Sequence, residues 1–326
     1  MQRRLTLALL VTGLLGHSIP SAAQSALPFP SKPITLVVPF TPGSGSDTIA
    51  RIIGPKLAAK WGQPVVVDNK PGASGNLGTL QAARAQPDGH TLLMAINTHA
   101  MTSAVYKNLP YDPVQDLAPV TKLAEASFAL VVAPGLLVQD MRSLIAYAKA
   151  NPGRLNYSSP GNGTPHHLAM ELLKSTYGVF MVHVPYRGIA GAITDLMGEQ
   201  VQLMFASVPS IRTQVQAGRL KAVAVTGEGR SGLLPEVPTF REQGFAALDV
   251  VDAWYAVLAP ARTAPALVDR LNRDFTDVMN SAEVKHELAR LGLTVRTGTP
   301  AQLATLIQSD MARWQKVVTT AHITAD

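Results

Sequence analysis

From Ser31 onward the chain alternates short apolar runs with segments whose apolar residues recur at helical spacing. Ile34-Thr35-Leu36-Val37-Val38 is a nearly continuous apolar run, which suits a strand buried on both faces of a parallel sheet. Over 48–61, Ile49, Ile52, Ile53, Leu57 and Trp61 trace one face of a helix. A second strand is predicted over 65–67, a second helix over 76–85 and a third strand over 91–95. This βαβαβ order predicts a doubly wound α/β unit with right-handed crossovers.

The same grammar then repeats. Strands are predicted over 128–132, 155–157, 181–184, 201–205 and 221–226, with helices over 141–150, 165–177, 190–197 and 211–216 between them. The tail differs: an apolar strand over 249–258 holds Trp254 and Tyr255, and helical patterns follow over 265–280, 282–291 and 300–318. Helices with so little strand do not build a third α/β unit, so they are expected to return over the first. The chain then crosses between lobes near 124–127 and near 238–252. That gives a discontinuous domain I of 24–125 plus 251–326 and a domain II of 126–250. A double crossing makes a hinge.

The first residues set the compartment. Met1-Gln2-Arg3-Arg4, the apolar stretch from Leu5 to Leu15 and the small residues Ser21-Ala22-Ala23 read as a secretory signal peptide over 1–23. Its apolar core is shorter than the ~20 residues a membrane span needs. The mature chain is expected outside the cytoplasm, and it is expected to be a monomer. It has no cysteine, so no disulfide or thiol chemistry is available there. Lys and Arg number 28 against 22 Asp and Glu, a net +6, and charged residues make up only 15%. With no basic cluster this composition argues against nucleic acid, while a mild positive balance suits a small acidic ligand.

Two glycine-rich turns carry the candidate chemistry: Thr41-Pro42-Gly43-Ser44-Gly45-Ser46-Asp47 and Ser158-Ser159-Pro160-Gly161-Asn162-Gly163-Thr164. Each follows a strand and opens a helix, leaving unpaired N–H groups where an anion can bind. In the first, glycines permit an anion nest, and Thr41, Ser44 and Ser46 add hydroxyls. Ser44 and Asp47 also have capping-box spacing, so a plain helix cap stays open as a reading. In the second, Thr164-Pro165 places a cap residue before a proline at the first helical position. His166 and His167 follow, but adjacent helical residues point apart and no neighbouring acid or cysteine completes a metal set. No metal or cofactor is expected. Asn97, Thr98 and Ser207 lie at further strand ends, where open α/β sheets bind ligands. Arg187 follows a strand and reads either as a carboxylate partner or as a solvated arginine. Gly72-Ala73-Ser74-Gly75 lacks the last glycine of a nucleophile elbow, since Asn76 stands there. The rival to a binding protein is a secreted hydrolase, with Ser159 or Ser44 as nucleophile and His166 or His167 as base.

The segments from Pro33 through Gly43 to Asp47 and Arg51, Asn69 through Gly75, Asn156 through Thr164 to His167-Leu168-Ala169, His183 through Gly188, Pro238-Thr239 and Trp254-Tyr255 are together distinctive. In order and over nearly the whole mature chain, they resemble the Bug (TctC-like) periplasmic solute-binding proteins of tripartite tricarboxylate transporters. The departures are Ser44, where that family usually has a second glycine, and Pro160, which offers no N–H. The resemblance implies a two-lobed, type II, Venus-flytrap α/β fold and no catalytic activity. It also implies a small organic carboxylate held between the lobes by backbone amides, hydroxyls and bridging waters. Thr41, Gly43, Ser44, Gly45, Ser46 and Asp47 would contribute from one side. Ser158, Ser159, Gly161, Gly163 and Thr164 would contribute from the other, with Asn97, Thr98 and Ser207 lining the cleft. Di- or tricarboxylates, amino acids and aromatic acids all fall within the family's range. Membrane permease subunits or a sensor ectodomain are the implied partners.

Overall fold

The computed structural model describes residues 29–106, 108–249, 251–320 and 323. The predicted leader and its cleavage point lie outside them. In the first half, β1 (Ile34–Val38), β2 (Val65–Asn69) and β3 (Thr91–Ile96) alternate with α1 (Gly45–Trp61), α2 (Asn76–Ala83) and α3 (Thr98–Val105). A long strand, β4 (Leu117–Val132), leads into α4 (Met141–Ala150), β5 (Asn156–Ser159), α5 (Pro165–Tyr177) and β6 (Val182–Pro185). Next come α6 (Ile189–Met197), β7 (Leu203–Ser207), α7 (Val208–Gln216) and β8 (Lys221–Val225). The chain closes with β9 (Asp252–Pro260), α8 (Pro265–Asn280), α9 (Ala282–Arg290), β10 (Thr294–Val295) and α10 (Pro300–Thr320).

The strands pair in two similarly wound sets. One runs β2-β1-β3-β9-β4, with β10 beside β4, and the other runs β6-β5-β7-β4-β8. In each, three parallel strands are followed by an antiparallel strand arriving from elsewhere in the chain. β1 is central and apolar on both faces, which explains its unbroken run. β4 joins the sets: positions 117–127 pair with β9, and 128–132 pair with β7 and β8. β9 starts at the same level, with Asp252 opposite Ser127. The two sheets therefore meet where β4 and β9 lie side by side.

The tail returns to the first sheet. α8 and α9 pack on α1, and α10 packs on α3 and β4. Polar contacts pin this return: Trp61 Nε1 donates to Asp274 at 2.8 Å, and Lys60 pairs with Asp277 at 2.6 Å. The largest apolar cluster runs from Ile34 and Leu36 through Val120 and Phe128 to Tyr157 and Phe205, so it spans both sheets. Among the described residues no helix is long and apolar enough to cross a membrane.

Three elements differ from the sequence expectation. β4 begins at Leu117 rather than near 128, because Pro119, Lys122 and Glu125 interrupt its apolar pattern and the pairing with β9 shifts register twice. α3 begins at Thr98, inside the stretch Ile96-Asn97-Thr98 that reads in sequence as a loop. Most of its residues are buried, so it shows no polar face to mark it as a helix. α1 begins at Gly45 rather than 48, because Ser44 caps it, accepting from the Asp47 N–H at 3.4 Å.

Candidate functional site

A cavity of about 560 Å³ opens between the two sheets. Its walls are the segments just beyond β1, β2 and β3 on one side and β5, β6 and β7 on the other. The carboxyl ends of all six parallel strands thus face one space, the usual ligand position in such sheets. Phe128 of β4 and Ala253 and Tyr255 of β9 line it at the place where the sheets meet.

The first turn reaches the cavity through Thr41, Gly43, Ser44, Gly45 and Ser46. Gly45 is required by contact: a Cβ there would overlap the Tyr255 hydroxyl. Burial pushes that phenol up to about 12, so it remains a proton donor. Asp47 does not line the cavity. Its carboxylate accepts the Gly43 N–H at 2.9 Å, Arg51 Nε at 3.0 Å and Asn69 Nδ2 at 3.0 Å. Burial opposes its ionisation, but the hydrogen bonds from Arg51, Gly43 and Asn69 and the Arg51 charge outweigh it and hold the carboxyl below its ordinary value. Asp47 braces the turn from behind.

The second turn reaches the cavity only through Pro160, Gly161 and Thr164. Ser158, Ser159 and Gly163 stand behind it. Ser158 and Ser159 are wholly buried. The Ser159 hydroxyl accepts the Gly161 N–H at 3.1 Å and meets His183 Nε2 at 2.7 Å. The Gly163 N–H donates to His167 Nδ1 at 3.1 Å. Thr164 Oγ1 donates to the Gly161 carbonyl at 2.7 Å. His167, His183 and Tyr157 stack in sequence, with centroids 4.1 and 4.8 Å apart, and the Tyr157 hydroxyl bonds Glu171. Burial, aided by the Lys174 charge, lowers His167 to about 4; burial, aided by neighbouring His167, lowers His183 to about 3. Both rings are neutral, as His167 must be to accept an N–H.

The two sides also touch directly. Ser74 Oγ donates to the Asn162 carbonyl at 2.7 Å and lies 3.1 Å from the Tyr106 hydroxyl. It is presented by consecutive left-handed residues: Gly72, Ala73, Ser74 and Gly75 have φ of 134°, 47°, 54° and 94°. For Ala73 and Ser74 that conformation costs of order 1 kcal/mol each.

Asn97, Thr98 and Ser207 line the cavity, and Asn97 Nδ2 also ties β3 to the Asp252 carbonyl of β9. Sequence reasoning did not place Phe128, Ala253 and Tyr255 here, because long-range strand pairing brings them in. Nor did it choose Tyr186, Arg187 and Ile189, although the strand before Arg187 was a signal. His166 lines the wall as a neutral ring, lowered by burial to about 3 and set edge-on to Phe128 at 5.0 Å. Ser159 has His183 for a neighbour, not His166 or His167, and that pair is closed off from the cavity. Among the described residues no group of His, Asp or Glu side chains is placed to hold a metal.

The family model described as "Tripartite tricarboxylate transporter family receptor" matches residues 49–323. Three solved structures are close. Rpa4515 of R. palustris with adipate is 33% identical, with a TM-score of 0.85, covering 91% of this chain and 99% of that one. The periplasmic binding protein BugD is 30% identical, with a TM-score of 0.83 over 91% and 99%. MatC of Rhodopseudomonas palustris with bound malate is 31% identical, with a TM-score of 0.83 over 89% and 100%. The chain thus has the two-lobed fold of periplasmic binding proteins and belongs to the tripartite tricarboxylate transporter receptor family.

Proposed function

We propose that this protein captures a small organic carboxylate between its lobes in the periplasm and presents it to a tripartite tricarboxylate-type permease. The observation that carries this reading is the meeting of both glycine turns at one cavity. Each charge-assisted hydrogen bond contributes roughly 1.5–3 kcal/mol. A handful of them, less desolvation and closure costs, reaches about −8 kcal/mol, a micromolar affinity. Two relatives, one solved with adipate and one with bound malate, support a carboxylate guest. We place domain I at 24–125 plus 251–326 and domain II at 126–250. Closure pivots where β4 and β9 adjoin, and the Ser74–Asn162 bond seals the closed form.

The hydrolase reading is the weaker one. Its best serine, Ser159, is buried behind the turn, and burial lowers the adjoining His183 far below a useful base. Calorimetry of mature protein, stripped of endogenous ligand, against mono-, di- and tricarboxylates tests the proposal. Saturable binding with the acid recovered unchanged supports it. Silence across the panel, or turnover of an ester abolished by Ser159→Ala, removes it.

A further inference from the structure

The second sheet carries an apolar and basic face at its amino end, away from the cavity. β4 runs antiparallel to β7 and β5 runs parallel to it, so α4 leaves and returns at the end where β5 and β7 start. Tyr147 of α4 is 41% exposed, and Phe180 and Val182, at the entry to β6, are 60% and 41% exposed. The turn 151–154 joins them. Asn151 Nδ2 donates to the Tyr147 carbonyl at 3.0 Å, and the Gly153 N–H donates to the Phe180 carbonyl at 3.0 Å. The Phe180 ring lies on Gly153, where a Cβ would come within 3.2 Å of it. Single exposed apolar side chains are ordinary, whereas a group of them rimmed by charge marks an interaction face.

The rim is basic. From Met141 to Met170 the chain holds Arg142, Lys149 and Arg154 and no Asp or Glu. Asp140 offsets Arg142, and Lys174, 5.9 Å from the Phe180 ring centroid, is paired with Glu171. Glu199, at the same end, is turned to Gly135 on the β4 side. Lys149 and Arg154 are exposed, and their side chains make no ion pair or hydrogen bond with another described residue. Beside them β6 ends its sheet, pairing with β5 alone among the described strands. The Val182 N–H donates to the Leu155 carbonyl at 3.0 Å, and the N–H of Tyr186, just beyond β6, to the Ser159 carbonyl at 2.8 Å. Backbone groups of the alternate residues face outward along an open edge.

Three kinds of occupant meet these features unequally. Recognition of anionic lipid takes clusters of about four to eight Lys and Arg, and only Lys149 and Arg154 are unpaired here. A second copy docked through the same face would set Lys149 and Arg154 against their own like. An extended chain can pair with the β6 edge, pack on Phe180 and Val182, and bring carboxylates to the two cations. We propose that this face docks an extended, acidic polypeptide segment of a partner protein, laid along β6 beside Lys149 and Arg154. The inference stands apart from the carboxylate-binding reading. Because the face lies at the far end of the sheet from the cavity, such a partner stays attached while the cavity fills and empties.

A fluorophore-labelled peptide of alternating glutamate and valine is titrated with the mature protein and read by anisotropy, beside a lysine–valine peptide of equal length. Circular dichroism checks the fold of each variant. Saturable binding of the acidic peptide alone is expected. Lys149→Glu with Arg154→Glu should weaken it by about tenfold or more, and Phe180→Ser by about threefold. Should the reversed pair not fold, Lys149→Ala with Arg154→Ala replaces it, with about a threefold loss expected. Binding should also weaken as salt rises and the screening length falls from about 10 Å at ~0.1 M to about 3 Å at ~1 M. No saturable binding, equal binding of the lysine peptide, or an affinity unchanged by loss of the two cations overturns the proposal. So does sedimentation with phosphatidylglycerol vesicles that these variants abolish, which would make the face a lipid site. Self-association abolished by Phe180→Ser would make it an interface between copies and likewise overturns it.

Discussion

The two glycine turns look alike in sequence and are built on opposite electrostatics. The first is braced from behind by an ionised carboxylate: Asp47 gathers Gly43, Arg51 and Asn69, and the turn's own hydroxyls stay at the cavity. The second is braced by neutral imidazoles: His167 holds the Gly163 N–H, and His183 meets Ser159. Ser159 is consumed in that support and Ser158 is buried, so the turn offers the cavity mainly backbone and Thr164. A charged brace tolerates acid down to the carboxyl's lowered range. A brace of buried neutral histidines fails earlier. Similar turns therefore need not bind, or break, in the same way.

The strongest test of the comparison is Gly45→Val. Its branched side chain meets the Tyr255 hydroxyl and disrupts the open turn, so affinity for the best-binding carboxylate is expected to fall about hundredfold, the loss of roughly two charge-assisted hydrogen bonds. Calorimetry reads this directly. A tenfold or smaller change would make the first turn secondary.

Asp47→Ala comes next. It leaves the Gly43 N–H, Arg51 and Asn69 without their acceptor, and urea unfolding should show a loss of about 2 kcal/mol at pH 7. A stability near wild type would mean that the carboxylate is not what braces the turn.

Acid should separate the braces. His167 is lowered from the ordinary 6.5 to about 4 by burial, with the Lys174 charge assisting. Between those values only the unfolded chain takes up this proton, so stability falls as pH drops through that window and is preserved above it. The Asp47 contribution is intact above its ordinary 3.8 and is lost only as pH falls through its lower folded value. Wild type should therefore lose about 1.4 kcal/mol more per pH unit in the histidine window than His167→Gln does. Parallel pH profiles of the two proteins would contradict the imidazole brace.

The smallest effect belongs to the contact between the sides. Ser74→Ala deletes a bond to the Asn162 carbonyl worth about 1 kcal/mol net, so affinity should fall about fivefold, with scattering of the loaded protein shifted toward an open shape. An unaltered affinity would show that closure does not depend on Ser74.

Much of this molecule was legible because its punctuation is local. The helices at Met141–Ala150, Pro165–Tyr177 and Pro265–Asn280 lie where apolar spacing and Thr164-Pro165 say they should. The two turns were visible because glycine and serine cluster there for backbone reasons. What stayed hidden is set by pairing over long distances. Tyr255 enters the cavity because β9 lies between β3 and β4, and His183 meets Ser159 because β5 and β6 run parallel in one register. No spacing along the chain encodes either neighbour. The inward or outward facing of Ser158, Ser159 and Gly163 was equally illegible, because a serine in a turn serves support and recognition with the same hydroxyl.

The measurement that bears most directly on this account is a crystal structure of the mature protein with its tightest-binding carboxylate. The account predicts the two oxygens of one carboxylate within hydrogen-bonding distance of donors from both turns, with Gly43–Ser46 on one side and Gly161 and Thr164 on the other. A guest held by one turn alone, or lodged outside the cavity, would contradict it.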